Sequence, residues 1–290
     1  MGLKRAILVT GATGRQGGAV ARRLLAGNVA VRALTRDLGS DAARALAAAG
    51  ADVVTGNFDD PESLARALDG MDGVFAMQTP YEEGTVREEA HGVRLADVAA
   101  GLGIGQFVYS SVAGADQPTG VAHFESKGRI ERHVLGLGFP RWTILRPTFF
   151  MEMLLAPGNL RMLARGSIEL TFAPGTRVPM IAVDDIAAMA AAAFQDPDAW
   201  HGKAVTLAGD VPDFTEIAQA FSTALGRPVV YRRVGADAID PDTRPKIGTQ
   251  RWLEEIGWSI DPVALRPTYP FVPRTIGRWA QENAGALSAA

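Results

Sequence analysis

Three polar side chains in the middle of this sequence have the chemistry to handle protons. His123 and Lys127 are four residues apart in the run His-Phe-Glu-Ser-Lys, so they would share one face of a helix. Ser111 is the second of two serines that follow an apolar, strand-like run. An imidazole, an amine and a hydroxyl can each give or take a proton when held against a reacting group. We therefore predict Lys127, His123 and Ser111 as candidate catalytic residues, with the alternative that His123 only begins a helix.

A glycine-rich turn near the N-terminus is the second chemical feature. Residues 11–17 read Gly-Ala-Thr-Gly-Arg-Gln-Gly, between a short apolar run and an amphipathic helix pattern. The order of strand, tight turn and helix is typical of a site that binds the phosphates of a nucleotide. Gly11 would make the sharp turn, and Gly14 would let the backbone approach a pyrophosphate. Gly17 would let the helix pack closely on the strand.

The end of the second predicted strand bears on which nucleotide is bound. The strand over 29–35 is followed by Arg36, where a site for a cofactor without a 2′-phosphate usually has Asp or Glu. Arg15 adds a second guanidinium group in the glycine turn. Two guanidinium groups can clamp a 2′-phosphate with charge-assisted hydrogen bonds. The sequence therefore favours NADP(H) over NAD(H).

The elements that must position these residues alternate regularly along the chain. Further strands are predicted over 52–55, 73–77, 106–110 and 142–145, with helical patterns between them. This alternation predicts an α/β fold, a doubly wound parallel sheet covered on both faces. Ligands of such sheets bind beyond the carboxyl ends of the strands. The residues predicted at that edge are Gly11, Arg36, Asn57, Gln78 and Ser110.

The composition limits the functions that the chain can have. It has a net charge of −3, 47% hydrophobic residues and no cysteine. The charge gives no reason to expect nucleic-acid or membrane-surface binding, and no apolar run is long enough to span a bilayer. Without cysteine there can be no disulfide, thiolate catalysis or Cys-type zinc site. The four histidines have no metal-ligand spacing, so we expect a cytoplasmic protein without a metal.

Four motifs together carry a resemblance to a known family. They are Gly-Ala-Thr-Gly-Arg-Gln-Gly-Gly at 11–18, Tyr-Ser-Ser at 109–111, His-Phe-x-x-Lys at 123–127 and Arg-Pro-Thr-Phe-Phe at 146–150. With them the sequence resembles the NmrA-like branch of the atypical short-chain dehydrogenases/reductases. The motifs span the whole N-terminal half of the chain.

The resemblance implies a Rossmann fold that binds NADP(H). It places Arg36 near the 2′-phosphate, Lys127 near the nicotinamide ribose and residues 147–150 against the nicotinamide. The complete set of predicted cofactor-binding residues is Thr10, Gly11, Thr13, Gly14, Arg15, Gln16, Gly17, Arg36, Asn57, Asp59, Gln78, Lys127, Pro147, Thr148, Phe149 and Phe150.

One position departs from the wider superfamily. Typical members have a proton-donating Tyr four residues before the Lys, and this chain has His123 there. A Lys without that Tyr still suits the binding of ribose hydroxyls. The chain also resembles aryl-ether reductases of the same branch, which rely on a Lys at the place of Lys127.

The second half of the sequence is less regular. We predict a Rossmann domain over residues 1–150 that binds NADP and a smaller α+β substrate lobe over 151–290. The apolar strand patterns between 178 and 207 predict that this segment returns to the main sheet.

Local patterns predict two helix starts and one loop in addition. Thr85-x-x-Glu88 and Asp213-x-x-Glu216 both have the spacing of a capping box, in which the two side chains bond each other's backbone N–H groups. A loop rich in Pro and Asp is predicted over 236–245.

Two functions of different classes are consistent with the sequence. The first is an NADPH-dependent reductase of a small conjugated acceptor such as a quinone, enone or imine, acting as a monomer or homodimer. The alternative is a non-catalytic NADP(H) redox sensor that acts through a protein partner, a role that permits loss of the Tyr. A sugar-nucleotide epimerase is less well supported, because the Tyr that such enzymes use is missing.

Overall fold

The computed structural model describes residues 5–235 and 247–288. The loop predicted over 236–245 therefore lies outside the described residues. The chain divides into two compact units: the first contains residues 1–146 and 186–206, and the second contains residues 147–185 and 207–290.

The described residues form strands and helices in the following order along the chain. The strands are β1 Ala6–Val9, β2 Ala30–Thr35, β3 Asp52–Thr55, β4 Gly73–Ala76, β5 Gln106–Ser110, β6 Arg141–Pro147, β7 Phe149–Phe150, β8 Ser167–Leu170, β9 Met180–Ile181, β10 Lys203–Leu207 and β11 Val230–Arg233. The helices are α1 Arg15–Ala26, α2 Asp41–Ala48, α3 Pro61–Leu68, α4 Gly84–Gly101, α5 Ala122–Gly136, α6 Pro157–Ala164, α7 Val183–Gln195, α8 Pro197–Trp200, α9 Phe214–Leu225, α10 Ile247–Glu255, α11 Pro262–Leu265, α12 Ile276–Glu282 and α13 Ala284–Ser288.

The main sheet has seven strands in the order β10-β6-β5-β4-β1-β2-β3. Strand β1 pairs in parallel with β2 on one side and with β4 on the other, and β4, β5 and β6 continue in parallel. The chain therefore starts in the middle and winds outward in both directions, which confirms the predicted doubly wound fold. The order reverses between β1 and β4, and a ligand crevice forms at such a switch point.

The core of the first unit lies where the sheet meets α3, α4 and α5. Leu8, Val74, Phe107 and Ile144 contribute to it from four strands, each at most 1% exposed. Leu95 on α4 belongs to the same cluster. These helices pack on the sheet by burying one apolar face, so the polar residues at the strand ends are held in fixed register.

Side-chain caps account for several of the helix starts. Asp60 accepts hydrogen bonds from the first turn of α3, with Pro61 at the first helical position. Asp213 and Glu216 form the predicted capping box at α9. The capping box predicted at Thr85 is wrong, because α4 starts at Gly84 and already contains Thr85, and it has no side-chain cap. Glu88 is instead buried inside that helix.

The second unit contains two small sheets and the C-terminal helices. Strand β7 pairs with β9, and β8 pairs with β11, both in parallel. Of the segment 178–207, Lys203–Leu207 forms the edge strand β10 of the main sheet, whereas Met180–Ile181 forms β9. Among the described residues, no helix combines the length and apolar character needed to cross a membrane.

Candidate functional site

The glycine turn has the geometry that its spacing predicts. Gly11 has a φ of 60°, which residues with a side chain rarely adopt. A Cβ on Gly17 would lie 2.3 Å from the carbonyl oxygen of Gly11, so α1 can approach β1 only because this residue is glycine. Gly14 is exposed, and the nearest atom to a Cβ there would be 3.2 Å away. The turn therefore presents bare backbone at its outer side.

The N-terminus of α1 follows directly on this turn. Its N-cap residue, Gly14, makes no side-chain cap, and the first turn has no acidic residue. Such a helix start, with N–H groups and the positive end of the dipole facing outward, favours an anion. The Gln16 side chain points elsewhere and donates a hydrogen bond to Ser110 Oγ at 2.5 Å.

Thr10 ties the turn to the neighbouring strand. Its hydroxyl accepts a hydrogen bond from the Met77 backbone N–H at 2.8 Å and donates to the Met77 carbonyl at 3.0 Å. Thr10 is fully buried, whereas Thr13 and Arg15 are exposed. Among the predicted cofactor-binding residues of the turn, the Thr10 hydroxyl is therefore engaged by the Met77 backbone, whereas Thr13 and Arg15 are exposed to solvent.

Gln78 lies just beyond β4, beside the switch point. Its side chain is 4% exposed, and neither its amide oxygen nor its amide nitrogen has a hydrogen-bond partner among the described residues. Buried polar groups are almost always satisfied. An amide left without a partner at the carboxyl edge of a parallel sheet therefore fits a polar ligand bound there.

Lys127 on α5 meets three groups from other elements. Its Nζ lies 3.0 Å from Glu88 Oε1 on α4 and donates a hydrogen bond to the Gln78 carbonyl at 3.1 Å. It also lies 5.7 Å from the centre of the Tyr109 ring. Burial, and then the charges of Glu88 and Glu131, raise the pKa of Tyr109 well above its ordinary value. That phenol therefore stays neutral beside the ammonium.

The other two candidate catalytic residues are placed differently. Ser111 is buried, and its hydroxyl has no hydrogen-bond partner in the described part of the chain. His123 is half-buried at the start of α5, with its ring edge on Phe124 at 4.6 Å between centroids. The structure therefore does not join Ser111, His123 and Lys127 into one hydrogen-bonded group.

Arg36 follows β2 as predicted, and the fold brings two carboxylates to it. Its guanidinium lies 2.7 Å from Glu82 and 3.9 Å from Glu83, and all three side chains are exposed. The sequence indicated no carboxylate at the end of β2. The acids come from the loop before α4, which is distant in sequence and adjacent in the fold.

Asp59, beyond β3, is surrounded by basic side chains of α4. It forms ion pairs with Arg87 and with Arg94 at 3.2 Å, and its Oδ1 lies 3.3 Å from His91 Nε2. Although desolvation opposes it, the charges of Arg87 and His91 hold the pKa of Asp59 below its usual value. Asn57 shapes the same loop, because its side-chain oxygen accepts the Asp59 N–H at 3.0 Å.

The same region contains ligand types that metals use. Asp59, Glu83 and His91 bring one donor atom each to within 4.8 Å of one another. Arg87, however, forms ion pairs with both carboxylates. The group is therefore a network of ion pairs on the surface of the first unit.

The segment after β6 belongs to the second unit. The Thr148 N–H and hydroxyl both donate to the Leu207 carbonyl, at 3.1 and 2.9 Å. The Phe149 N–H donates to the Pro179 carbonyl at 3.1 Å, and the Phe149 side chain is 37% exposed. Pro147 is buried and Phe150 half-buried. Backbone pairing therefore fixes this segment within its own unit.

The sequence reasoning missed Glu88, although a signal was present. Glu88 precedes Gly92, Leu95 and Ala96 at the spacing of one helix face, and all are buried. An acidic residue on the apolar face of a helix needs a buried partner for its charge. The capping-box spacing from Thr85 predicted instead that Glu88 caps the helix start.

These features fit a dinucleotide and define the class of protein. The bare glycine turn and the uncapped helix N-terminus suit a pyrophosphate, and the orphaned Gln78 amide and the Lys127 ammonium lie beyond the neighbouring strands. A doubly wound sheet with this edge is a nucleotide-binding Rossmann fold.

Comparison with known proteins gives the family. The NmrA-like family matches residues 3–245, and the chain belongs to that family. An NAD(P)H azoreductase of Xenophilus azovorans is 32% identical over 227 residues, which are 78% of this chain and 76% of the relative.

Two solved structures share the fold. A Citrobacter sp. triphenylmethane reductase complexed with NADP(H) has a TM-score of 0.80 at 20% identity, over 96% of this chain and 99% of that chain. NmrA, a negative transcriptional regulator in complex with NADP, has a TM-score of 0.76 at 22% identity, over 96% of this chain and 95% of that chain.

Proposed function

We propose that this chain binds NADP(H) and reduces a small conjugated acceptor of the quinone, enone or imine type. The observation that carries the proposal is the Lys127 ammonium, which is held at the carboxyl edge of the sheet against the Gln78 carbonyl at 3.1 Å. A fixed cation at this edge can stabilise negative charge that develops on a reduced acceptor. The azoreductase and the triphenylmethane reductase support the class, since both are reductases of conjugated compounds.

The bound coenzyme supplies the hydride, and the chain supplies binding and charge. The glycine turn and the start of α1 hold the pyrophosphate, and Arg15 and Arg36 meet the 2′-phosphate. Lys127 donates to the hydroxyls of the nicotinamide ribose and stabilises the charge on the acceptor. Either Lys127 or water provides the proton that completes the reduction.

Two substitutions test this assignment. We expect the wild type to oxidise NADPH in the presence of one or more quinones, enones or azo compounds, measured by the loss of NADPH absorbance. Lys127→Met should lower NADPH affinity and turnover roughly ten-fold or more, because a hydrogen bond from a charged donor contributes about 1.5–3 kcal/mol. His123→Phe should keep most of the turnover. A large loss in His123→Phe alone would make the imidazole the proton donor and contradict the role given to Lys127.

A non-catalytic NADP(H) sensor is the second candidate. His123 stands where a catalytic Tyr is expected, and the regulator NmrA shares the fold. Tight NADPH binding without oxidation of the coenzyme by any acceptor in the panel would favour the sensor over the reductase.

A further inference from the structure

Glu88 is a completely buried carboxylate in the middle of α4. Its side chain is 0% exposed, and its Oε1 lies 3.0 Å from Nζ of Lys127. The Lys127 side chain is itself only 10% exposed. The other oxygen of Glu88, Oε2, accepts a hydrogen bond from the Ser126 hydroxyl at 2.5 Å. Burying a lone carboxylate is costly, and an ion pair offsets that cost only with good geometry and further hydrogen bonds. Here the Ser126 hydroxyl supplies one hydrogen bond, and Oε1 meets Lys127 as an ion pair without a hydrogen-bond partner among the described residues.

Close helix packing fixes the distance between the two charges. A Cβ on Gly92 of α4 would lie 2.6 Å from Ile130 Cδ1 on α5, so glycine lets the helices approach at that point. Glu88 lies one helical turn before Gly92, and Lys127 lies three residues before Ile130. The contact therefore sets the spacing of α4 and α5 where the carboxylate and the ammonium meet.

The neighbouring acid does not compete for Lys127. Glu131, one turn along α5, is held by Arg146, with Nε to Oε1 at 3.0 Å and Nη2 to Oε2 at 2.6 Å. The Tyr109 phenol is neutral, as described above. Among the described residues, Glu88 is therefore the carboxylate paired with Lys127.

We propose that Glu88 is a positioning residue that holds the Lys127 ammonium in place for the bound coenzyme. An ammonium has three N–H donors; one is donated to the Gln78 carbonyl, and Glu88 Oε1 holds the ammonium as an ion pair at 3.0 Å. These two contacts determine where the ammonium lies and leave donors for a ligand at the sheet edge. This inference rests on the proposed NADPH-binding function of the same site, and Glu88 acts on it only through Lys127.

A double-mutant cycle tests the inference, because it isolates the coupling between two residues. NADPH affinity is measured for the wild type, Glu88→Gln, Lys127→Met and the double variant. We expect Glu88→Gln to weaken NADPH binding about ten-fold in the wild-type background, the loss of one charge-assisted contact. In the Lys127→Met background the same change should have no effect on affinity.

Stability supplies a second readout from the same four proteins. Lys127→Met leaves Glu88 buried without a cation, so its midpoint of urea unfolding should fall. Adding Glu88→Gln should raise that midpoint again. Glu89→Gln is the matched control, since Glu89 is the next residue of α4 and forms a surface pair with Arg129 at 2.6 Å. It should leave affinity unchanged.

The outcomes separate this inference from the proposed function. A wild type that does not bind NADPH overturns the proposed function and this inference with it. Wild-type affinity in Glu88→Gln, or an equal loss in both backgrounds, overturns the positioning role alone. If Glu88→Gln does not fold, Glu88→Asp keeps the charge on a shorter side chain. It should then show a smaller loss of affinity that again vanishes with Lys127→Met.

Discussion

We predict that the choice of coenzyme depends most directly on Arg36. Its pair with Glu82 is exposed on both sides, at 65% and 54% of the side-chain surface. Exposed ion pairs contribute only about 0–1 kcal/mol. A 2′-phosphate carries more charge than one carboxylate and can accept two parallel bonds from a guanidinium, so it should displace Glu82. The pair then reduces the preference for NADP(H) without reversing it.

If the 2′-phosphate displaces Glu82 from Arg36, substitutions of these two residues should change NADPH affinity in opposite directions. Arg36→Ala should weaken NADPH binding about ten- to a hundred-fold, since about 1.5–3 kcal/mol of charge-assisted bonding is lost. Glu82→Gln should strengthen NADPH binding by up to about five-fold, because the phosphate no longer displaces a carboxylate. Titration of each variant with NADPH and NADH measures both effects.

NADH affinity should change little in either variant, since NADH has no 2′-phosphate. Arg44→Ala is the control, because Arg44 is also exposed and pairs with an acid, Asp41, at the start of α2. If Glu82→Gln weakened NADPH binding, the carboxylate would be a coenzyme contact and the exchange would be wrong.

At the scale of elements, α5 is positioned by a contact that leaves no room for a side chain. A Cβ on Gly128 would lie 2.1 Å from the carbonyl oxygen of Ala115, so the helix touches the preceding loop backbone to backbone. Arg146 ties that loop down through Asp116 at 2.6 Å. Since Gly128 directly follows Lys127, this contact also determines where the ammonium lies.

Two glycine substitutions on α5 should therefore act in opposite directions. Gly128→Ala should destabilise the protein by about 1–3 kcal/mol, the usual cost of overpacking, and should lower NADPH affinity by moving Lys127. Gly136→Ala should stabilise it by up to about 1 kcal/mol through helix propensity, since nothing lies within 4 Å of a Cβ there. Urea unfolding and NADPH titration measure the two effects. Equal stability of both variants would mean that the loop gives way to the new methyl group.

The order of the elements could be predicted from the sequence, because hydrophobic periodicity and turn residues are local signals. The strand over 106–110 and the turn at 11–17 are examples, and both occur as predicted. Contacts between distant segments carry no such signal. The pairing of Phe149–Phe150 with Met180–Ile181 involves two residues on each side, too few for any periodicity.

The same distinction applies to the candidate site. The residue types at the strand ends predicted Arg36 and Gln78 at one edge of the sheet. The acidic partners of Arg36 and Lys127 could not be predicted, because Glu82 comes from the loop before α4 and Glu88 from α4 itself. The three-residue spacing of Thr85 and Glu88 predicted that Glu88 takes part in a helix cap. The same spacing also occurs along one face of a helix, and Glu88 in fact lies on the buried face of α4.

At the scale of the whole molecule, the first unit is completed by a segment from far along the chain. Residues 186–206 return to it after the chain has built part of the second unit. The Gln106 side chain donates to the Ala193 carbonyl at 2.7 Å, and Thr143 donates to the Trp200 carbonyl at 3.0 Å. Phe194 is 2% exposed and packs against Gly73 of β4. The main sheet therefore depends on this segment for both hydrogen bonds and burial.

A fragment of residues 1–146 should consequently fail to fold as a stable unit. It loses the apolar contacts of Phe194, about 2–3 kcal/mol, and the hydrogen bond from Gln106 to the Ala193 carbonyl, about 0.5–1.5 kcal/mol more. It also exposes the edge of β6, which pairs with β10 in the full chain. Together with the exposed strand edge, these losses approach the lower end of the total stability of an ordinary domain, about 5–15 kcal/mol. Circular dichroism and urea titration of the fragment should show no cooperative unfolding.

Joining residues 183–207 to the fragment through a flexible Gly/Ser linker should restore a cooperative transition, and a scrambled 183–207 segment on the same linker should not. A cooperative transition in the fragment alone would show that the sheet is complete without its last strand.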